Sequence, residues 1–350
     1  MPPLSVLIKP ASSGCNLQCS YCFYRELANN RQVPNHGIMT VEVLEVVVQK
    51  ALQFAENSCS FIFQGGEPTL AGLYFYRRLL DFQNSYNTKG LQIHNAMQTN
   101  GIVIDAEWAT FLAKNNFLIG LSLDGDKDTH NQNRILPDGS GSHKAVMKAA
   151  AFLDKADAKV NILSVINKNV ARHPIKIYNF FKKYKLRHIQ FIPCLDVLQP
   201  ADYVRFLKTM FDLWHRDWMQ GEKISIRYFD NLLGMLAGYP PEACGLSGVC
   251  ICQYVIEADG SVYPCDFYAF DKWELGNILT DDFGSLATSP VCAAFIEESK
   301  MFPDDCLMCK WLRLCKNGCK RDRDESGKNR YCDSFKDFLS YTAPKLKIMH

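Results

Sequence analysis

Three cysteines near the beginning of the chain have a spacing that suits metal chemistry. Cys15, Cys19 and Cys22 form the pattern C-x3-C-x2-C on a short loop. Three thiolates placed in this way can bind three irons of a cubane cluster and leave the fourth iron open to a second ligand. The alternative is a zinc site, which would need a fourth ligand such as His36, and no histidine lies at close ligand spacing. The spacing therefore favours an iron–sulfur cluster over zinc.

A second group of cysteines occupies the C-terminal third of the chain. Its eight members are Cys244, Cys250, Cys265, Cys306, Cys309, Cys315, Cys319 and Cys332. Eight thiolates are enough for two closed sites of four ligands each. The spacing C-x2-C-x5-C-x3-C over residues 306–319 could by itself hold zinc, because structural zinc sites commonly use four cysteines. The pattern alone predicts two sites and leaves the metal undecided.

The composition excludes several classes of protein. The chain has 350 residues, of which 47% are hydrophobic and 22% charged, with a formal net charge of +2. Because dedicated nucleic-acid binders carry a strong basic surplus, no nucleic-acid partner is expected. The N-terminus lacks a signal-peptide pattern, and no apolar stretch is long enough to cross a membrane. We expect a cytoplasmic protein without membrane contact, whose cysteines serve metal or redox chemistry rather than disulfides.

Short apolar runs alternate with helical patterns through the first two thirds of the sequence. The predicted strands are Leu4–Lys9, Ser60–Phe63, Gln92–Gln98, Leu118–Leu123, Val160–Val165 and His188–Ile192. The predicted helices are Val41–Phe54, Leu73–Phe82, Glu107–Asn115, His143–Lys155, Ile175–Tyr184 and Tyr203–Trp218. Six strand–helix units in series imply an α/β fold with a parallel sheet and right-handed crossovers. Polar and glycine-bearing segments follow the strands, where such folds place their active sites.

The character of the sequence changes near residue 235. Beyond the Gly-Tyr-Pro-Pro segment at 238–241, long periodic patterns become rare and cysteines become frequent. We therefore predict two domains, one spanning residues 1–235 and a cysteine-rich one spanning residues 236–350.

The cysteine loop and a glycine motif resemble the radical S-adenosylmethionine superfamily. Its hallmark is C-x3-C-x-aromatic-C directly after the first barrel strand, and Tyr21 supplies the aromatic residue. Residues 65–68 read Gly-Gly-Glu-Pro after the second strand, as in the superfamily's cofactor-binding motif. The resemblance implies a partial (β/α)6 TIM-type barrel that binds S-adenosylmethionine and a [4Fe–4S] cluster. It implies cofactor contacts by Tyr21, Gly66, Glu67 (methionyl ammonium), Ser122 (ribose), Arg134 (methionyl carboxylate) and Leu195 (adenine).

The C-terminal cysteines resemble the SPASM extension of these enzymes, which binds two auxiliary [4Fe–4S] clusters. The resemblance implies that Cys244, Cys250, Cys265 and Cys319 hold one cluster. It implies that Cys306, Cys309, Cys315 and Cys332 hold the other, for three clusters in the chain. Cys252 lies close enough in sequence to exchange roles with Cys250, and that alternative stays open.

Longer segments are similar to anaerobic sulfatase-maturating enzymes. They are Lys-Pro-Ala-Ser-Ser-Gly-Cys at 9–15, Phe-Gln-Gly-Gly-Glu-Pro-Thr at 63–69, Gln-Thr-Asn-Gly at 98–101 and Tyr-Pro-Cys-Asp-Phe-Tyr at 263–268. That family oxidises a sulfatase Cys or Ser to Cα-formylglycine without oxygen, by removing a hydrogen atom from Cβ, then a proton and an electron. The thioaldehyde formed from Cys would then hydrolyse to the aldehyde. The resemblance makes Asp266 the candidate general base. The alternative is a plain turn carboxylate after a hairpin strand, with the hairpin turn at Glu-Ala-Asp-Gly, residues 257–260. Tyr24 and Gln64 would be supporting polar groups near the substrate.

The resemblance also implies partners for the chain. The substrate would be an unfolded or nascent sulfatase polypeptide, and electrons would come from a low-potential donor such as flavodoxin or ferredoxin. A monomer is expected, and the preference between Cys and Ser is left open. Two alternatives remain: another SPASM enzyme that cross-links or epimerises a ribosomal peptide, and a non-catalytic zinc or iron–sulfur interaction module.

Overall fold

The computed structural model describes residues 3–195 and 197–346. The chain divides into two compact units, each assembled from separate segments. The first unit comprises Met1–Ser122, Asn131–Val160 and Cys252–Phe295. The second unit comprises Leu123–His130, Asn161–Ile251 and Ile296–His350. The domain boundary near residue 235 stays a prediction.

The strands follow the alternation of apolar runs in the sequence. In chain order they are β1 (Leu4–Ile8), β2 (Ser58–Phe63), β3 (Gln92–Thr99), β4 (Leu118–Ser122), β5 (Lys159–Ile166), β6 (His188–Pro193), β7 (Ser225–Ile226), β8 (Val255–Ile256), β9 (Ser261–Tyr263) and β10 (Gly276–Asn277). Strands β1 to β6 are the six predicted ones. Strand β2 shows the burial most clearly, since Cys59, Phe61 and Phe63 are fully buried on one face, whereas in β6 only Ile189 is buried.

Strand β1 is central to the first unit. It pairs in parallel with β2 on one side and with β8 on the other, with Leu7 opposite Val255. Strands β2, β3 and β4 continue the parallel arrangement. Strands β8 and β9 form an antiparallel hairpin, and β9 pairs with β10. A segment from the C-terminal third therefore lies beside the first strand of the chain.

The helices are set by capping residues and apolar stripes. In chain order they are α1 (Phe23–Asn29), α2 (Val41–Phe54), α3 (Gly72–Tyr86), α4 (Ala106–Lys114), α5 (Lys127–Asn131), α6 (His143–Lys155), α7 (Lys168–Arg172), α8 (Pro174–Lys183), α9 (Pro200–Met219), α10 (Arg227–Leu236), α11 (Phe283–Ala287), α12 (Pro290–Ser299), α13 (Asp304–Leu307), α14 (Leu312–Cys315) and α15 (Cys332–Leu346). In α2, for example, Thr40 accepts a hydrogen bond from the Val43 N–H, while Leu44, Val47 and Ala51 are buried on one face.

The second unit contains β6 paired in parallel with β5 and β7. Its C-terminal helix α15 packs on α9. Asp337 on α15 accepts from the Lys208 ammonium on α9 at 2.7 Å, and Ser334 Oγ donates to the Pro200 carbonyl at 2.8 Å. Within the described residues, none of the helices is both long and apolar enough to cross a membrane.

The predicted elements are all present, with ends that differ by up to four residues. The bounds of α2 and α6 agree with the prediction at both ends. The hairpin turn predicted at Glu257 lies between β8 and β9. The helices that the sequence analysis did not predict are α1, α5, α7 and α10 to α15, most of them shorter than three turns.

Candidate active site and cluster sites

The loop with the first three cysteines is held by a second loop of the first unit. The Gln18 N–H donates to the Ile135 carbonyl at 2.8 Å, and the Ser20 N–H donates to the Asn133 carbonyl at 3.0 Å. Ser20 Oγ also donates to Asn133 Oδ1 at 2.7 Å. These bonds flank Arg134 on both sides, so its position follows that of the cysteine loop.

Arg134 lies directly beside the predicted cluster ligands. Its guanidinium carbon is 5.5 Å from the centre of the Tyr21 ring, and its Nη1 is 4.0 Å from Cys19 Sγ. The side chain is buried, and stacking on an aromatic ring fixes the plane of the guanidinium. A fixed, buried cation beside the predicted cluster ligands suits a ligand that carries a carboxylate, as the methionyl group of S-adenosylmethionine does.

Cys15 Sγ accepts hydrogen bonds from both sides. The Leu17 N–H donates to it at 3.4 Å, and the Asn100 side-chain amide donates at 3.7 Å. Donors around a cluster sulfur are one of the ways in which proteins tune iron–sulfur centres. Asn100 follows β3, so the end of that strand also contacts the cysteine loop.

The glycine motif after β2 lies against the backbone that leads into the cysteine loop. The Gly66 N–H donates to the Ser12 carbonyl at 2.9 Å, and the Glu67 N–H donates to the Gly14 carbonyl at 2.8 Å. Gly65 has a φ of 114°, which favours glycine. A Cβ on Gly66 would stand 2.0 Å from the Gly14 carbonyl oxygen, so only glycine fits there.

The Glu67 carboxylate is buried and joins the ends of β2 and β3. Its Oε1 accepts from the Thr69 N–H, the Thr69 hydroxyl and the Thr99 hydroxyl at 3.0, 2.6 and 2.7 Å. Its Oε2 accepts from the Asn100 N–H at 2.8 Å. Burial raises the pKa of Glu67, and these donors oppose the rise. Oε2 accepts one hydrogen bond and has the capacity for a second. The predicted contact with a methionyl ammonium is therefore compatible with this arrangement.

We predict that Gly66→Ala destabilises the protein by about 3 kcal/mol, the upper end of overpacking penalties, because the added methyl meets backbone rather than a flexible side chain. Urea unfolding measures the loss. Gly234→Ala is the matched control, since the space around that helical glycine is open and alanine favours a helix. Equal stability of the two variants would contradict the close approach.

Two other predicted cofactor contacts fall in different units. Ser122 is the last residue of β4 in the first unit and is partly exposed. Leu195 follows β6 in the second unit and is buried, with its carbonyl accepting from Arg330 Nη1 at 3.5 Å. Their contacts with ribose and adenine stay predictions.

Asp266 lies just after β9, and Tyr24 and Gln64 surround its carboxylate. Tyr24 Oη donates to Asp266 Oδ2 at 2.6 Å, and Gln64 Nε2 donates to the same oxygen at 2.6 Å. Gln64 Nε2 also lies 3.1 Å from Tyr24 Oη. The structure thus brings together three residues that the sequence analysis placed near the substrate.

The two oxygens of the Asp266 carboxylate differ in their hydrogen bonding. Asp266 Oδ1 is buried and has no hydrogen-bond partner among the described residues. Burial raises the pKa of Asp266 above its usual range, although Lys9, Tyr24 and Gln64 oppose the rise. An unpartnered carboxylate oxygen is costly to bury, and it is free to accept a proton from a bound molecule.

Four of the C-terminal cysteines line one cavity in the second unit. They are Cys306, Cys309, Cys315 and Cys332, and they surround it together with Trp311, Leu312 and Phe335. Burial, together with the other three thiols, raises the pKa of Cys315 to about 11. In residues 3–195 and 197–346, no three His, Cys, Asp or Glu side chains meet closely enough for a single metal ion. Four thiols around a cavity fit a cluster, whose ligands are further apart than those of one ion.

The remaining predicted ligands are divided between the units. Within the second unit, Cys244 and Cys250 are close enough to Cys319 to raise its pKa, which reaches about 12 chiefly through burial. Cys265 lies in the first unit beside Asp266. Cys252 also belongs to the first unit, where it contacts Cys292.

We predict that Cys315→Ala removes one auxiliary cluster and leaves the radical-generating cluster in place. Iron should fall from about twelve to about eight per chain, because each [4Fe–4S] cluster holds four irons. Iron analysis after anaerobic reconstitution tests this, with 5′-deoxyadenosine formation as the companion assay. Cys292→Ala is the control, since that buried thiol is outside the predicted ligand set and should keep all the iron. Full iron content in Cys315→Ala would contradict the ligand assignment.

The first unit also contains a buried ionic cluster that no sequence pattern predicted. Glu257 accepts from Lys9 and Arg31 through Oε1, at 2.6 and 2.5 Å. The available signal was that Lys9 and Glu257 each directly follow an apolar strand, where a charged residue is unusual.

Comparison with known proteins defines the class to which this site belongs. Residues 10–181 match the radical SAM superfamily, and residues 249–310 match the SPASM iron–sulfur cluster-binding domain. The protein is thus a radical S-adenosylmethionine enzyme with a SPASM domain.

The relatives narrow the class to one family. The chain is 48% identical to the cysteine-type anaerobic sulfatase-maturating enzyme of Clostridium perfringens, over 99% of this chain and 98% of that protein. It is 30% identical to the serine-type enzyme of Bacteroides thetaiotaomicron, over 99% and 91%. The structure of native anSMEcpe with bound AdoMet and Cp18Cys peptide matches with a TM-score of 0.95 and 46% identity, over 99% of both chains. This chain belongs to the anaerobic sulfatase-maturating enzymes.

Several predictions are confirmed by these similarities. The α/β partial barrel with a C-terminal SPASM domain is the fold of the family. The enzyme is a formylglycine-forming oxidoreductase, and its cofactors are S-adenosylmethionine and [4Fe–4S] clusters. The alternative of a non-catalytic zinc module is wrong for this chain.

Proposed function

We propose that this enzyme oxidises a cysteine of a sulfatase polypeptide to Cα-formylglycine, with Asp266 as the general base. The observation that carries the proposal is the buried Asp266 carboxylate, with one oxygen held by Tyr24 and Gln64 and the other without a partner. Such an arrangement fixes the carboxylate and leaves Oδ1 to accept a proton from a substrate thiol.

The residues of the site have separate roles in the reaction. When bound, S-adenosylmethionine and the clusters supply a radical that removes a hydrogen atom and take up the remaining electron. Cys15, Cys19 and Cys22 would hold the cluster that cleaves S-adenosylmethionine. Asp266 Oδ1 receives the thiol proton, and the two donors on Oδ2 keep the carboxylate from rotating. The side chain is then a thioaldehyde, and water hydrolyses it to formylglycine while the sulfur leaves as hydrogen sulfide. Because the carboxylate is buried, bulk water does not compete for this oxygen.

The proposed preference for cysteine rests on sequence identity, which is higher to cysteine-type than to serine-type relatives. Cysteine-type enzymes of two Clostridium species are 48% and 44% identical to this chain. Serine-type enzymes of Bacteroides thetaiotaomicron and Klebsiella aerogenes are 30% and 27% identical. One solved relative, anSMEcpe, has a bound Cp18Cys peptide. A thiol also loses its proton more readily than a hydroxyl, so one carboxylate suffices as base.

The buried position of Asp266 also bears on the form in which the substrate binds. The substrate enters as an unfolded or nascent sulfatase segment, because the target side chain must reach a buried carboxylate. A flavodoxin or ferredoxin supplies low-potential electrons, and the enzyme acts as a monomer in the cytoplasm.

The test uses two peptides that differ at one atom of the target side chain. Reconstituted enzyme, S-adenosylmethionine and dithionite are incubated with peptides containing Cys-x-Pro-x-Arg or Ser-x-Pro-x-Arg, and mass spectrometry detects the aldehyde. We expect formylglycine from the cysteine peptide at a rate at least tenfold above the serine peptide, a difference of about 1.4 kcal/mol in barrier. Faster serine oxidation would overturn the preference, and a cross-linked or epimerised product would overturn the function.

A further inference from the structure

Lys9 is a buried cation beside the candidate active site. It directly follows β1, and Glu257 directly follows β8. The parallel register pairs Ile8 with Ile256, so the two charged residues lie side by side. Lys9 Nζ is 2.6 Å from Glu257 Oε1. The same ammonium is 5.1 Å from the centre of the Tyr24 ring.

The negative charge of Glu257 is stabilised by two neighbouring cations, Lys9 and Arg31. Glu257 also accepts from Arg31 at 2.5 Å, and the Arg31 guanidinium lies 5.1 Å from the centre of the Tyr263 ring. Both side chains of the Lys9–Glu257 pair are almost fully buried. Burial alone would raise the pKa of Glu257, but Lys9 and Arg31 lower it to about 2. The carboxylate therefore stays ionised and holds the Lys9 ammonium in place.

Stability alone does not explain the lysine. A buried ion pair costs desolvation energy at each charge, and apolar residues of similar volume often stabilise a protein as well or better. Arg31 already pairs with Glu257, so the carboxylate does not need a second cation to be neutralised. What Lys9 adds is a positive charge against the face of the Tyr24 ring, whose hydroxyl donates to Asp266.

We infer that Lys9 is a positioning residue for the oxidation: it fixes the Tyr24 ring, which in turn fixes Asp266. A cation over a desolvated ring attracts it by about 2 kcal/mol, enough to select one ring position. The Tyr24 hydroxyl then stays within hydrogen-bond distance of Asp266 Oδ2 and keeps Oδ1 aimed at the substrate. This inference rests on the proposed role of Asp266 and concerns proton removal only.

The test compares Lys9→Met with wild-type enzyme and measures two products. Methionine keeps the length and apolar volume of lysine and removes the charge. We expect formylglycine formation to fall on the order of 100-fold, as for a small displacement of a reacting group. The formation of 5′-deoxyadenosine should fall by less than about threefold, so the ratio of the two products changes. The affinity for labelled peptide should stay within about twofold, and a crystal structure should show a lengthened Tyr24–Asp266 distance.

A matched variant separates positioning from general stability. Lys50→Met removes another lysine that links elements of the first unit, through the Ile278 and Asp281 carbonyls at 2.7 and 2.8 Å. It should lower thermal stability without changing the product ratio. Parallel loss of both products in Lys9→Met, or no loss, would overturn the inference.

A second variant is used in case Lys9→Met does not fold. If Lys9→Met does not take up iron, Lys9→Arg keeps a charge for Glu257 but moves it relative to Tyr24, and the same change in product ratio is expected. Loss of iron in both variants would overturn the inference. A wild-type enzyme that makes no formylglycine would instead refute the proposed function, and the two failures are therefore distinguishable.

Discussion

Replacement of Asp266 by asparagine is expected to lower formylglycine formation by roughly 10²- to 10⁴-fold, the usual contribution of a general base. Asparagine retains the shape of the side chain and can still contact Tyr24 and Gln64. Its amide cannot accept the thiol proton at the position that Oδ1 now occupies. In the proposed mechanism Asp266 takes no part in the cleavage of S-adenosylmethionine. The formation of 5′-deoxyadenosine should therefore continue in the variant. The measurement is the rate of each product with a cysteine peptide under anaerobic conditions.

The control for this variant lies in the same hairpin. Asp259 is in the turn between β8 and β9, where its carboxylate pairs with His36 at 3.1 Å. Asp259→Asn should change neither product by more than about twofold, since its carboxylate is partly exposed and outside the proposed machinery. Undiminished formylglycine formation in Asp266→Asn would eliminate the residue as the base. Loss of both products would show that it instead supports the clusters.

Cys15→Ala is expected to abolish the formation of 5′-deoxyadenosine altogether. A [4Fe–4S] cluster bound by two thiolates instead of three loses its protein attachment, and without it S-adenosylmethionine cannot be cleaved reductively. Iron should fall from about twelve to about eight per chain, and formylglycine should disappear as well. This result differs in kind from that of Cys315→Ala, which loses the same amount of iron but keeps 5′-deoxyadenosine formation.

Cys59→Ala is the matched control for this prediction. Cys59 is fully buried on β2 and belongs to none of the predicted ligand sets. The variant should keep its iron and both products while losing some stability from the small cavity. Retained 5′-deoxyadenosine formation in Cys15→Ala would refute the assignment of the radical-generating site.

The elements of the barrel could be predicted because each has its own local signal. Val41–Phe54 is long enough for a helical period to be read, and its capping threonine marks where it begins. The β8–β9 hairpin was indicated by its turn residues alone. Helix α1 could not be predicted in this way, since its seven residues directly follow the cysteine loop and bury only Leu27. Short helices depend on tertiary contacts, and those leave little trace in a local pattern.

The candidate site was predictable as a set of residues but not as a geometry. Motifs pointed to Asp266, Tyr24 and Gln64 separately, and the convergence of two donors on one oxygen is visible only in the structure. The sequence pattern predicts Lys9 only as the last residue of a strand. Its pairing with Glu257 depends on a parallel contact between β1 and the two-residue β8, far apart in the chain. No periodicity encodes such a contact.

The pairing of β1 with β8 has a consequence for how the protein is made. Tyr24 and Asp266 are separated by 242 residues, so a ribosome needs roughly 10 to 50 s to pass from one to the other. During that interval one side of β1 remains an open strand edge, which can pair with other chains. Slow translation therefore prolongs an aggregation-prone state, and we expect chaperones to matter for yield. It also follows that a nascent chain acquires its cysteine loop well before the carboxylate that completes the reaction.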